Sequence, residues 1–258
     1  MRFLGIDLGW KSGASGLCCL AWRGEELVLL SLELRLEIEA ILDWVKDWTT
    51  PNLPALVAVD APTLIPNTTG TRLPDRLTHS YFGKYHAGCY PANMQRPFAT
   101  RTVDFGCQLE KAGFHHAPRI TPRFLDRYQI EVFPHPAQVN LFNLDRILKY
   151  KKGSLSARSL ELAKLRNYIL QILPTLEPKL APLDLPEIPS QGKALKEVED
   201  QLDSLICAYV GAYWWYWGAE KNLVLGDETT GYIVVPDRVN SLDQSLFDSG
   251  EYSLGEVF

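Results

Sequence analysis

The sequence lacks several features that would have fixed its class at once. Its five cysteines (18, 19, 89, 107 and 207) form an odd set with no CxxC pair. That argues against a disulfide-stapled secreted scaffold and against a structural zinc module. It fits reduced thiols in a cytoplasmic protein. No apolar run approaches the ~18 residues of a membrane span, so no membrane partner is expected. The first acid, Asp7, comes too early for a secretory signal peptide. Excess positive charge is also missing, the net charge being −5. What is present is core material: 46% of the 258 residues are hydrophobic, enough for one large domain. We expect a single domain over 1–258, with oligomeric state left open.

The acidic average hides a division. Between Pro62 and Arg127 there are nine Lys/Arg against four Asp/Glu, a local +5 that leaves −10 for the rest. The same stretch holds seven of the 17 prolines and four of the five histidines. Periodic patterning is short there, near 72–82 and 103–112. It reads as a long irregular insertion within the domain, and a basic insertion on an acidic body can hold an anionic substrate. A solvated loop region explains the same composition equally well.

On either side of the insertion the patterning is regular. Arg2–Asp7, Gly16–Trp22 and Glu26–Leu32 read as three short strands with tight connections, an antiparallel meander. Leu36–Trp48 has a helical apolar period. Ala55–Val59 is a continuous apolar run of the kind found in a central strand covered on both faces. Tyr128–Phe133 resumes as a strand that Pro134 and Pro136 end. A helix over Ala157–Leu173, a proline-dotted linker at 174–189 and a long apolar helix over Lys193–Trp217 follow. Leu223–Leu225 and Tyr232–Val235 read as a closing hairpin. The expected class is α/β: a five-stranded mixed sheet with helices on both faces.

Four acids sit in unusual settings: Asp7 after Phe-Leu-Gly-Ile, Asp60 after Leu-Val-Ala-Val, Glu131 inside a strand, and Asp203 inside an apolar helix. An acid that ends a buried strand is costly to desolvate unless its charge is matched. Neighbouring parallel strand ends would put Asp7 beside Asp60 and raise at least one pKa. A bound Mg²⁺ or Mn²⁺ removes that conflict, because hard cations favour oxygen ligands. Four such carboxylates could hold two ions about 3.5–4 Å apart, the arrangement used in phosphoryl transfer. Plainer roles exist: Asp7 and Asp60 as turn caps, Asp203 as a favourable charge in a helix N-terminal turn. Asp200, one turn from Asp203 on the same face, reads as the solvent-exposed member of the two.

Taken together, Gly5-Ile-Asp-Leu-Gly9, Val57-Ala-Val-Asp-Ala-Pro62, Glu131-Val-Phe-Pro-His-Pro-Ala137 and Asp203-Ser-Leu-Ile-Cys-Ala-Tyr209 resemble an uncharacterised family. It is known as domain of unknown function 429 and described as predicted nucleases of the ribonuclease H-like fold. Gly226-Asp-Glu-Thr-Thr-Gly-Tyr-Ile-Val-Val-Pro236 resembles its closing hairpin. The likeness implies that fold, and Asp7, Asp60, Glu131 and Asp203 as catalytic, metal-holding residues of a metal-dependent nuclease. The Tyr-His-Ala-Gly-Cys-Tyr run and the arginines of 62–127 do not align with the family pattern.

The basic residues suggest how a nucleic acid, DNA or RNA, would be held. Arg72, Arg76, Arg101 and Arg119, interleaved with Tyr and Phe, could grip a phosphate backbone. Lys152 and Arg158 flank the start of the helix at 157, where backbone N–H groups favour a phosphate, though an ordinary charged loop accounts for them too. His135 is a possible proton carrier, or a histidine that caps beside two prolines. Adjacent His115 and His116 lack a further ligand at metal spacing. Two competing functions remain in view. One is an actin-like or sugar-kinase-like ATP-binding protein, since Gly5-Ile-Asp-Leu-Gly9 looks like a first phosphate loop. The other is a non-catalytic nucleic-acid-binding or assembly module.

Overall fold

Strand β1 (Arg2–Asp7) sets the frame. Phe3 belongs to one buried cluster while Leu4 and Ile6 belong to another, so successive side chains feed opposite faces of the sheet. The computed structural model describes residues 1–10 and 13–239; residues 11–12 and 240–258 of the expected 1–258 domain lie outside the described residues. Within that range β1 is followed by β2 (Ser15–Arg23), β3 (Glu26–Arg35), α1 (Ile38–Trp48) and β4 (Ala55–Val59). The segment after β4 carries α2 (Leu73–Phe82), α3 (Ala99–Lys111) and β5 (His115–His116). Then come β6 (Arg127–Glu131), α4 (Pro134–Leu141), α5 (Leu155–Ile172), β7 (Lys179–Leu180) and α6 (Gly192–Trp217). A hairpin of β8 (Asn222–Asp227) and β9 (Gly231–Pro236) closes the described chain.

The main sheet has the order β5-β6-β4-β1-β2-β3-β7. β1, β2 and β3 form the antiparallel meander, and β4 and β6 run parallel to β1 on its other side. These five long strands form the mixed sheet expected from the sequence, with helices on both faces. The additional β5 and β7 are two-residue edge strands, too short for patterning to reveal. Helices α4, α5 and α6 cover the face that carries Phe3, Leu56 and Ile130. The other face, with Leu4, Ile6, Val57 and Val59, is covered by Ile41, Trp44 and Val45 of α1 and by Phe105 and Leu109 of α3. Among the described residues no helix is long and apolar enough to cross a membrane.

At Gly5 and Gly16 helix α6 meets the sheet with no side chain between them. A Cβ on Gly5 would lie 1.9 Å from the Ser204 carbonyl oxygen, and one on Gly16 would lie 1.8 Å from that of Asp200. Only glycine permits this approach. Because Gly16 pairs with Asp7 across β1 and β2, the contact delivers the middle of α6 to the tip of β1.

Some local readings change. The periodic stretches at 72–82 and 103–112 are α2 and α3, and α3 completes a layer of the core, so the long segment is irregular only between and around its helices. Pro134 opens α4 as well as ending β6, because the first helical turn needs no N–H donors. The stretch at 174–189 is packed through Leu176, Leu180 and Leu185.

Candidate active site

Strand alternation decides which acids meet. On β1 the odd residues, and on β4 the even ones, face α6. Asp7 ends β1 and Asp60 follows β4, and the Asp60 N–H donates to the Ile6 carbonyl at 2.8 Å. Both carboxyls therefore stand side by side on the α6 face, at the ends of neighbouring parallel strands. Burial raises the Asp60 carboxyl well above the usual carboxylate range, and the charge of Asp7 adds to the effect. Asp7 is raised as well, by burial first and against the pull of Lys151.

The third acid of this group is Asp200, not Asp203. Asp200 lines the cavity with Asp7 and Asp60, shares a hydrogen bond with Asp7, and is pushed up to about 8 by burial and by the Asp7 charge. Its Oδ1 lies 2.6 Å from Lys196 Nζ. The expectation that Asp200 faces solvent is thus corrected: it is 5% exposed. Asp203, one turn further along, is fully buried behind the cavity. Tyr150 donates to its Oδ1 at 2.7 Å and Gln138 at 3.2 Å, and Lys151 Nζ lies 2.8 Å from Oδ2. Burial alone would raise Asp203, but Lys151 and these donors hold it below the usual range. Asp203 thus fixes Lys151 and does not line the cavity, though its charge still helps to raise both Asp7 and Asp60.

Glu131 fails to join them for a reason of register. Tyr128, Ile130 and Val132 pack on the α6 side, so Gln129 and Glu131 point to the opposite face. Gln129 there donates to the carbonyls of Gly106 and Phe114. Glu131 accepts two hydrogen bonds from Arg72, at 2.7 and 2.8 Å, and Arg72 also reaches Asp75 at 2.8 Å. Burial pushes Glu131 up to about 7 although Arg72 opposes it, while Glu131 and Asp75 outweigh burial and keep Arg72 firmly charged. Arg72, expected to grip substrate, is buried and already engaged.

A cavity of about 420 Å³ opens over these groups. Five carboxylates line it (Asp7, Asp60, Asp75, Glu131 and Asp200) with three cations, Arg72, Lys151 and Lys196. Arg72 answers Glu131 and Asp75, Lys196 answers Asp200, and Lys151 answers Asp203. Asp7 and Asp60 have no ion-pair partner of their own among the described residues. Two adjacent carboxylates, with only the already paired Lys151 acting on both, fit a single hydrated divalent cation, which needs only one or two protein carboxylates. They do not fit a four-carboxylate, two-ion cradle. Among the described residues no group of three or more His, Cys, Asp or Glu is disposed to hold an ion. His135 also lines the cavity; burial and Lys151 lower it to about 4, so its imidazole is neutral, and its Nδ1 has no partner.

A family model described as Protein of unknown function (DUF429) matches residues 5–230. The chain belongs to this family. No curated protein matches this DUF429 chain significantly. Among solved structures, T. thermophilus RuvC in complex with Holliday junction substrate is similar to it at 15% identity, over 82% of this chain and 97% of that one, with a TM-score of 0.31.

The other basic residues of the DUF429 chain stand away from the cavity lining. Arg76 donates to the Thr71 carbonyl, and Arg101 to that of Gly9 at 3.0 Å. Arg119 lines a separate groove beside the β8–β9 turn. Lys152 is exposed, and Arg158 binds the Tyr150 carbonyl and Glu199. The basic group that does reach the acids is Lys151, which the sequence offers as one of three lysines at 149, 151 and 152 with nothing to single it out. Asp200 had a signal, its helical spacing from Asp203.

Proposed function

We propose that the cavity at the tips of β1 and β4 is the active site of a divalent-cation-dependent phosphodiesterase acting on nucleic acid in the cytoplasm. The observation that carries this reading is the Asp7–Asp60 pair: two adjacent carboxyls, both raised by burial and Asp60 further by the Asp7 charge, with neither in an ion pair among the described residues. Asp7 and Asp60 would hold one Mg²⁺ or Mn²⁺. When bound, the ion supplies Lewis-acid polarisation of the phosphate and neutralises the pair.

The protein's own groups do the rest. Asp200, restrained by Lys196, shares a hydrogen bond with Asp7, and burial and the Asp7 charge raise it to about 8. Lys151 keeps a positive charge at the cavity wall, available to a phosphate oxygen, while Asp203 fixes it from behind. Neutral His135 presents an unpartnered Nδ1 that can accept or donate a hydrogen bond without adding charge. A cytoplasmic location accords with the five unpaired cysteines.

The test is cleavage of labelled DNA and RNA in Mg²⁺ or Mn²⁺ by the parent, Asp7→Asn and Asp60→Asn. Each variant should lose roughly a hundredfold or more, the scale of removing an electrostatic stabiliser. Folded Asp7→Asn protein that cleaves at the parent rate would overturn the proposal.

A further inference from the structure

Besides its carboxyls and Lys151, the cavity is lined by aromatic side chains, Trp10, Tyr90 and Phe133. We infer that Trp10 and Tyr90 receive the base of one unpaired nucleotide whose phosphate lies at the strand tips; the inference rests on the phosphodiesterase reading and names its substrate class.

Trp10 is braced before any ligand arrives. Its ring lies 4.4 Å from that of Phe98, and Phe98 belongs to a small buried cluster with Ile65 and Ala99. Arg101 holds the neighbouring Gly9 carbonyl at 3.0 Å. An aromatic surface fixed in this way loses little conformational freedom on binding. Tyr90 lines the same cavity yet is 70% exposed, a large ring left in water where stacking would cover it. Bases of any sequence can stack on such rings.

Charge placement favours an unpaired strand over a duplex. A duplex presents its phosphates outward and is gripped by a row of cations. Here Arg76, Arg101 and Arg119 do not line the cavity, and Arg72 is bound to Glu131 and Asp75. A pocket of about 420 Å³ lies in the range that encloses one small ligand. The site is therefore built for one nucleotide taken out of, or lying beyond, a helix.

Fluorescence anisotropy tests this, with Ca²⁺ replacing Mg²⁺ to suppress cleavage. The probes are a labelled single-stranded oligonucleotide, a duplex with an unpaired tail, and a closed dumbbell duplex without free ends. The single strand and tailed duplex should bind at least about tenfold more tightly than the dumbbell. Trp10→Ala and Tyr90→Ala should each weaken single-strand binding roughly five- to hundredfold, the effect of losing one stacked base, and leave dumbbell binding unchanged. Trp10→Phe should restore most of it. Because Trp10→Ala could loosen its loop, the exposed Tyr90 is the decisive position. Displacement of the single strand by a nucleoside monophosphate would support a free or terminal nucleotide; tight single-strand binding without such displacement would support a nucleotide within a strand. Equal binding of dumbbell and single strand, unchanged affinity in Tyr90→Ala, or no binding at all would overturn the inference. If the dumbbell is bound equally and cut, the phosphodiesterase reading survives alone; if single strands bind and are never cut, only the inference survives.

Discussion

The ends of β4 and β6 lie side by side, and each presents an acid to the same cavity, yet the two acids have opposite fates. Glu131 turns to the face where Arg72 waits and becomes half of a buried ion pair. Asp60 turns to the α6 face, where it finds Asp7 and a lysine, Lys151, that is already paired with Asp203. On α6 both acids have a cation: Asp203 is paired with Lys151, and Asp200, beside Asp7, is paired with Lys196. An acid at a strand tip is thus not in itself a ligand. What separates Glu131 from Asp60 is whether the fold has already supplied a counter-charge within ion-pair distance.

Breaking the satisfied side should have the largest effect. Arg72→Ala leaves Glu131 and Asp75 buried without their cation and should cost about 3–5 kcal/mol in chemical denaturation. Arg72→Met combined with Glu131→Gln should recover part of that loss. Lys151→Met should cost less, about 1–3 kcal/mol, because Tyr150 and Gln138 still donate to Asp203.

On the unsatisfied side the sign reverses. Asp60→Asn relieves a repulsion and should raise Tm by about 2–4 °C, the shift that about 1 kcal/mol gives in a domain of this size. It should also abolish the rise in Tm that Mg²⁺ gives the parent, since only an ion held by the folded state stabilises it. If Asp60→Asn instead lowers Tm, the two strand tips do not differ as described.

The smallest effect is a slope with pH. Asp7 and Asp60 are raised, Glu131 reaches about 7 and Asp200 about 8, so the folded state holds protons that the unfolded chain has released. Their stabilising effect is complete below the unfolded carboxyl values and is lost as pH rises through the folded ones. Below about pH 6.5 the lowered His116 and His135 work in the opposite direction. Between about pH 6.5 and 8 both histidines are neutral in either state. There the carboxyls outnumber the α-amino group of Met1, which is lowered by burial and opposes them. Tm should fall modestly across that window without divalent ions, and fall less in Mg²⁺. A flat or rising profile in metal-free buffer would count against the raised values.

The sequence carried the frame well. Alternation and apolar runs revealed β1, β2, β3, β4 and β6, and strand ends located Asp7, Asp60 and Glu131. What escaped it were partners distant in the chain. Glu131 and Arg72 are 59 positions apart, and nothing local says that an arginine opening α2 will be buried. Asp200 and Asp203 share one helical face, so spacing alone could not tell which lies nearer the strand tips. That choice is made by Gly16, under the Asp200 carbonyl. Lys151 owes its position to a loop, where periodicity is silent.

The glycine contact between α6 and the meander also couples packing to charge. A helix backbone seated directly on Gly5 and Gly16 leaves no room for a side chain or a water at that seam in the folded protein. A chain that has not closed the seam cannot bring Asp200 up to Asp7, so burial of the acids and closure of the seam are coupled.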